Sequence, residues 1–174
     1  NYEVTMGTPM KDLIFDMCGG MKPGRTLKTI IPSGSSVPIM TATETENYLL
    51  DYEGVVARGS MLGSAGMIVM DDSTDMVYQI WRLARFYAHE SCAQCTQCRE
   101  GTAWTTKILE RILAGKGKAA DLDLLLSLSE NMTGKTICVL SDSCAAPIVS
   151  GIAKFRSEFD AYLSGARQPA LAMA

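Results

Sequence analysis

The chain has 174 residues, 47% of them apolar, and a net charge of −3. That is enough to bury a core in one domain or two small ones, and the acidic balance offers no basic footprint for nucleic acid or an anionic membrane surface. No apolar run approaches the roughly 20 residues that cross a bilayer, and six cysteines in a chain this long need not be staples, so a reducing compartment is expected.

The chain opens without Met at Asn1-Tyr2-Glu3-Val4, which reads as a strand and leads to the expectation of a truncated or processed polypeptide. Thr8-Pro9 has the pattern of an N-cap followed by Pro at the first helical position. Met10, Leu13, Ile14 and Met17 then recur at helical spacing until Gly19-Gly20, which predicts one short helix. Leu27–Ile31, stopped by Pro32, and Met67–Met70 read as strands. Gly59, Gly63 and Gly66 lack the G-x-G-x-x-G spacing and are expected to form a turn. The first third is thus of α+β type.

From about Ser73 the apolar period becomes helical. Val77, Ile80, Trp81, Ala84, Tyr87 and Ala88 make one stripe, while Leu83 and Phe86 predict a second packed side. Trp104, Ile108 and Ile112 mark a second helix closed by Gly115, and Leu122, Leu125 and Leu126 a third ending before Gly134. A fourth is expected from about Pro147, through Ile148, Ile152, Phe155, Phe159, Tyr162 and Leu163. Four helices on short links predict a bundle. The stretch from Gly165 has no pattern and is expected to be mobile.

Three cysteines fall within seven residues, Cys92-Ala-Gln-Cys95-Thr-Gln-Cys98, and Cys138 lies forty further on. Clustered thiolates hold soft metals, and four of them would complete the shell of one [4Fe–4S] cluster, whose chemistry is single-electron transfer. In a straight helix the outer two Cα atoms would stand about 9 Å apart along the axis. The segment is therefore expected to be a loop, with Ser91 a cap and Arg99-Glu100-Gly101 leading into the second helix. Spacing leaves Cys144 open as a rival to Cys138, and a His/Cys3 zinc site from His89, Cys92, Cys95 and Cys98 is chemically admissible. Regular x2 intervals favour iron–sulfur, although no C-x3-C-P follows.

Duller readings attach to the other candidates. Cys18 is most simply a small buried residue, the eleven methionines fill the core, and His89 reads as a hydrogen-bonded helix end. Gly134-Lys135-Thr136 resembles the end of a phosphate loop, but Ser129 stands where its first glycine is required. No nucleophilic triad can be assembled around His89, so no catalytic residue is assigned. Arg99 either places its guanidinium near an anionic cluster or pairs with Glu100 or Glu90.

The run Glu90-Ser91-Cys92-Ala-Gln-Cys95-Thr-Gln-Cys98-Arg99-Glu100-Gly101-Thr102 resembles the NADH-binding flavoprotein (51 kDa) subunit of respiratory complex I. So do Leu83–His89, Leu122–Leu125, Gly134–Cys138 and Lys154–Phe159, while Pro32–Pro38 and Gly59–Gly66 are similar to its ubiquitin-like β-grasp domain. The resemblance implies a partial β-grasp domain over 1–72 without its opening strand, a [4Fe–4S] four-helix bundle over 73–164 and a tail over 165–174. It also implies Cys92, Cys95, Cys98 and Cys138 as ligands, leaving Cys144 as a thiol outside the shell. Ser141-Asp142-Ser143 departs from the Gly-Asp stretch expected there.

By the same resemblance, FMN and NADH belong to an N-terminal domain that is absent here, so this chain alone is expected to bind neither. Electrons would enter from the flavin and leave to iron–sulfur subunits resembling the 24 kDa and 75 kDa chains of that complex. The setting would be the cytoplasmic side of a bacterial membrane or the matrix side of a mitochondrial one. Diaphorases of NAD-linked hydrogenases and formate dehydrogenases share the module and remain alternatives. A zinc-stabilised interaction module is the rival of another class.

Overall fold

The structure is a computed structural model that describes residues 1–46 and 48–171. It divides into two compact units, Asn1–Thr74 and Asp75–Ala174.

In the first unit, β1 (Leu27–Ile31) is the middle strand of an antiparallel sheet, between β2 (Met40–Thr41) and β3 (Ile68–Asp71). Ile30 pairs with Met40 on one side and Val69 on the other, and the register slips between Leu27 and Thr29. The branched residues of β1 suit a pleated, half-buried surface, and their inner face joins Met10, Ile14, Tyr48, Leu50 and Val55 in the core. Two short helices, α1 (Ala42–Glu46) and α2 (Tyr52–Ala57), follow β2; the Asp51 carboxylate caps α2 by accepting from Gly54 N–H at 2.5 Å.

Two expectations change here. Val4 lies in no strand, and the N-terminal helix is a π-helical turn over Asp12–Met17, in which Cys18 N–H reaches back five residues to Leu13 C=O at 3.0 Å. Thr8 is no cap, because its hydroxyl turns back to Thr5 C=O at 2.7 Å. Gly19 and Gly20 do end the element, both in the left-handed region open to glycine.

The described residues of the second unit form helices only: α3 (Met76–Glu90), α4 (Thr96–Leu113), α5 (Ala120–Met132), α6 (Leu140–Lys154) and α7 (Arg156–Leu163). α3 and α5 each pack on both α4 and α6, α4 also meets α6, and α7 lies against α3, α4 and α6. Val77, Ile80 and Ala84 of α3, Leu109 and Ile112 of α4, Leu122 and Leu125 of α5, and Ile148 of α6 are buried. Each contributes roughly 1.5–3 kcal/mol by leaving water, alanines less.

The fourth predicted helix becomes two. It starts at Leu140 rather than at Pro147, and Phe155 (φ −122°) breaks it into α6 and α7. Pro147 sits inside α6, where it forfeits the bond to Ser143 C=O, and the buried packing of Ala145, Pro147 and Ile148 offsets that loss. Trp104 is 52% and Phe86 51% exposed, since the buried face of α4 is centred on Thr105, Ile108 and Ile112 and that of α3 on Ile80, Ala84 and Tyr87. The second packed side expected for α3 is not found among the described residues.

The segment after α7 is held rather than loose, as far as 171; the last three residues of the expected tail lie outside the described residues. Arg167 reaches Asp75 at 3.2 Å and Glu158 at 3.3 Å and stacks 5.3 Å above the Tyr162 ring. Ala170 N–H donates to Leu113 C=O at 2.8 Å.

At the turn between α4 and α5, Asp121 accepts from Arg111 Nη2 at 2.5 Å and from Lys118 N–H at 2.8 Å. Burial by itself pushes its carboxyl up, but the bonds to Arg111 and Lys118 outweigh it and hold the carboxyl below the usual range. A depressed folded-state value means stability that is present above the ordinary carboxylate range and lost as pH falls through the folded one. Asp121→Asn is expected to lower stability by about 1–2 kcal/mol at pH 7, the half-exposed Arg111 limiting the effect, and by much less near pH 2–3; urea unfolding at both pH values measures it.

Candidate metal centre

The α3–α4 connection is short because both ends are sharply set. Ser91 leaves α3 in extended geometry (ψ 123°), Ala93 turns left-handed (φ 63°), and Cys95 is already the N-cap of α4. The loop is therefore only Ser91–Cys95. Cys98, expected in that loop, instead occupies the first turn of α4, and Ser91 ends α3 rather than capping the helix that follows.

Its bonds fix the loop closely. Ser91 Oγ accepts from Ala93 N–H at 3.3 Å and lies 3.3 Å from Cys98 Sγ; with one lone pair so engaged, its own hydrogen is free for the sulfur. Thr102 Oγ donates to Cys98 C=O at 2.7 Å. Of the roles foreseen for Arg99, the pairing with Glu100 is present, through Nε at 2.9 Å, and a further bond runs from Nη1 to Ala93 C=O at 2.9 Å.

The distant cysteine stretch returns to the same end. Between α5 and α6, Gly134 N–H is accepted by Asp142 at 2.8 Å, and Thr136 Oγ1 donates to Cys138 C=O at 2.8 Å. This turn brings Ile137 N–H to Cys95 Sγ at 3.4 Å, one residue from Cys138. The approach of α5 to α4 depends on Gly101, where a Cβ would stand 2.5 Å from Met132 Sδ.

All six cysteines carry free thiols. Cys92 and Cys138 are exposed, Cys95 is half-buried, and Cys98 is buried. Cys144 is fully buried within α6, and burial first, then the neighbouring Cys98, push its thiol up to about 12. Cys18 is exposed on the first unit, contrary to the buried role expected for it. His89, with its side chain 85% exposed, turns away to Glu90 at 2.9 Å. Among the described residues, no three His, Cys, Asp or Glu side chains gather as they would around a single metal ion.

The surroundings nonetheless suit an anionic, sulfur-ligated group. Neither α4 nor α6 has a side-chain cap at its N-terminus, so both present open N–H groups and the positive ends of their dipoles beside the cysteines. A backbone N–H and a serine hydroxyl already address two of the sulfurs. Ala93 and Ile137 were invisible as contributors in the sequence, because each acts through the shape of its turn, and Ser91, read there as a helix cap, acts instead through its hydroxyl on Cys98 and Ala93.

Residues 78–162 match the family model described as the NADH-ubiquinone oxidoreductase-F iron–sulfur binding region. The match takes in just under half of the chain. The iron–sulfur binding region so defined takes in every cysteine except Cys18. Across 161 residues the chain is 45% identical to the F subunit of NADH-quinone oxidoreductase from Rickettsia bellii, covering 92% of this chain and 39% of that one. It is 46% identical over 164 residues to the corresponding F subunit of Streptomyces coelicolor, covering 94% and 36%. The chain thus spans under two fifths of the length of either relative. In fold it is similar to a chain of an NAD+-reducing [NiFe]-hydrogenase crystallised in the H2-reduced state, with TM-score 0.80 and 31% identity over 93% of this chain and 27% of that one. The α+β architecture is common to both.

Proposed function

We propose that Cys92, Cys95, Cys98 and Cys138 hold one [4Fe–4S] cluster, and that the chain is the C-terminal, electron-transferring part of the F subunit of an NADH-quinone oxidoreductase. The observation that carries this reading is the bond from Ile137 N–H to Cys95 Sγ at 3.4 Å, which ties the two cysteine stretches together. When bound, such a cluster supplies single-electron uptake and release, with no bond-making step.

The chain's own residues bind and shield. Cys92 and Cys138 offer exposed thiols, Cys98 a buried one, and the uncapped starts of α4 and α6 favour negative charge between them. Ile137 N–H donates to the Cys95 sulfur and Ser91 Oγ lies 3.3 Å from that of Cys98, where its hydroxyl would donate to a ligand thiolate, an arrangement that tunes cluster potential. His89, paired with Glu90, gives no support to a zinc site.

On this reading FMN and NADH bind the remainder of the subunit, and the electrons pass on to chains resembling the 24 kDa and 75 kDa iron–sulfur subunits. The subunit would be peripheral at the cytoplasmic face of a bacterial membrane; no described helix is long and apolar enough to cross one. The likeness to an NAD+-reducing hydrogenase supports a second reading, the diaphorase of such an enzyme, but 45% identity to the Rickettsia bellii F subunit against 31% to the hydrogenase chain favours the first.

Metal and sulfide analysis of anaerobically purified protein tests the cluster. The expected result is roughly four irons and four sulfides per chain with a reducible visible absorption, whereas one zinc and no colour would overturn it.

A further inference from the structure

Among the described residues of the helical unit, Ala93 is the one non-glycine residue in the left-handed region. A Cβ is disfavoured there, and such a conformation persists only where neighbours impose it. Two side chains do so. Ser91 Oγ accepts from the Ala93 N–H, and Arg99 Nη1 donates to its carbonyl at 2.9 Å. Arg99 in turn is aimed by its backbone N–H, which bonds to Cys95 C=O at 2.9 Å in the first turn of α4, and by the pairing of its Nε with Glu100.

These bonds close a ring from Ala93 to Arg99. Cys95 and Cys98 lie within it, and Cys92 adjoins its start. The guanidinium is directed at a peptide carbonyl and its charge is partly offset by Glu100, so its work is mechanical.

We infer that Arg99 is a positioning residue that locks the left-handed Ala93 peptide and so presets the three-cysteine loop for its metal. The inference rests on the ligand assignment above. It differs from a role in which the Arg99 charge acts directly on the cluster, and the two roles give opposite results when the strain at Ala93 is relieved.

The test uses the 174-residue chain, reconstituted anaerobically with ferrous iron and sulfide, and compares wild type with Arg99→Ala, Arg99→Lys and the double variant Arg99→Ala, Ala93→Gly. Three rates or signals are read: iron loss to a chelator, alkylation of Cys92 and Cys95 by iodoacetamide in the metal-free protein, and the midpoint potential of the cluster. Far-ultraviolet circular dichroism checks folding, which the half-exposed Arg99 side chain is not expected to govern.

Arg99→Ala is expected to speed iron loss and metal-free alkylation about tenfold, as for the loss of a charge-assisted hydrogen bond, with Arg99→Lys in between. Adding Ala93→Gly should recover at least about threefold of both, because glycine enters the left-handed region without steric cost. The potential should stay near that of wild type. Unchanged rates in Arg99→Ala would overturn the inference. So would a shifted potential with no recovery by Ala93→Gly, since that pattern belongs to a charge acting on the cluster. A wild-type chain that takes up no iron and sulfide would sink the ligand assignment instead, and the alkylation rates of the metal-free chain would still decide whether Arg99 holds the loop.

Discussion

Cys138→Ala is expected to abolish the cluster or convert it to a form with fewer irons, while Cys144→Ala leaves its low-temperature EPR signal and iron content intact. The two residues are only six apart, and their settings differ in kind. Cys138 is exposed in the turn before α6, next to the Ile137 amide that bonds Cys95 Sγ. Cys144 lies inside α6 with no exposed surface and packs as a small apolar side chain behind Cys98. Losing one of four thiolates removes a corner of the shell, an all-or-none effect on a four-iron site. Losing the Cys144 sulfur leaves a small void costing about 1 kcal/mol, visible in stability but not in spectroscopy. Loss of the EPR signal in Cys144→Ala, with retention in Cys138→Ala, would reverse the ligand assignment.

The second large effect is expected at Asp75. Its carboxylate caps α3 by accepting from Tyr78 N–H at 3.1 Å, accepts from Tyr162 Oη at 2.5 Å and pairs with Arg167 at 3.2 Å. Burial first, and Asp75 next, push the Tyr162 hydroxyl up, so it stays a proton donor at neutral pH. Asp75→Ala removes a cap worth about 1 kcal/mol and leaves the hydroxyl of a buried tyrosine unpartnered, a further 1–3 kcal/mol. A total of about 2–4 kcal/mol corresponds to a drop in Tm of roughly 10 °C or more for a unit of this size. Tyr162→Phe, which removes donor and demand together, should cost about 1 kcal/mol. Thermal unfolding by circular dichroism separates the two, and equal small effects would show that the cluster of side chains contributes little.

What could be read from the sequence was whatever depends on period and on side-chain chemistry. The β-branched run of β1 and the apolar stripe of α3 sit where their spacing put them, and the thiol pattern led to the family whose model matches residues 78–162. What could not be read depends on contacts distant in the chain. Pro147 looks like a helix start because its missing amide suits the first turn, yet packing on the interior of the helical unit sustains α6 on both sides of it. Trp104 falls on the stripe by count but at its margin in space. Arg167 carries no local signal at all, and it orders the stretch after α7 through carboxylates nine and ninety-two positions back.

The bare backbone at Gly101 leaves the room that the Met132 side chain fills between α4 and α5. With Met132 seated where a methyl group would otherwise be, α5 leans on α4 one turn beyond Cys98, and the turn that carries Cys138 departs from the end of that same α5. A single added carbon at position 101 would therefore have to displace the buried Met132 side chain at the very end of α5, the helix from which the Cys138 turn departs.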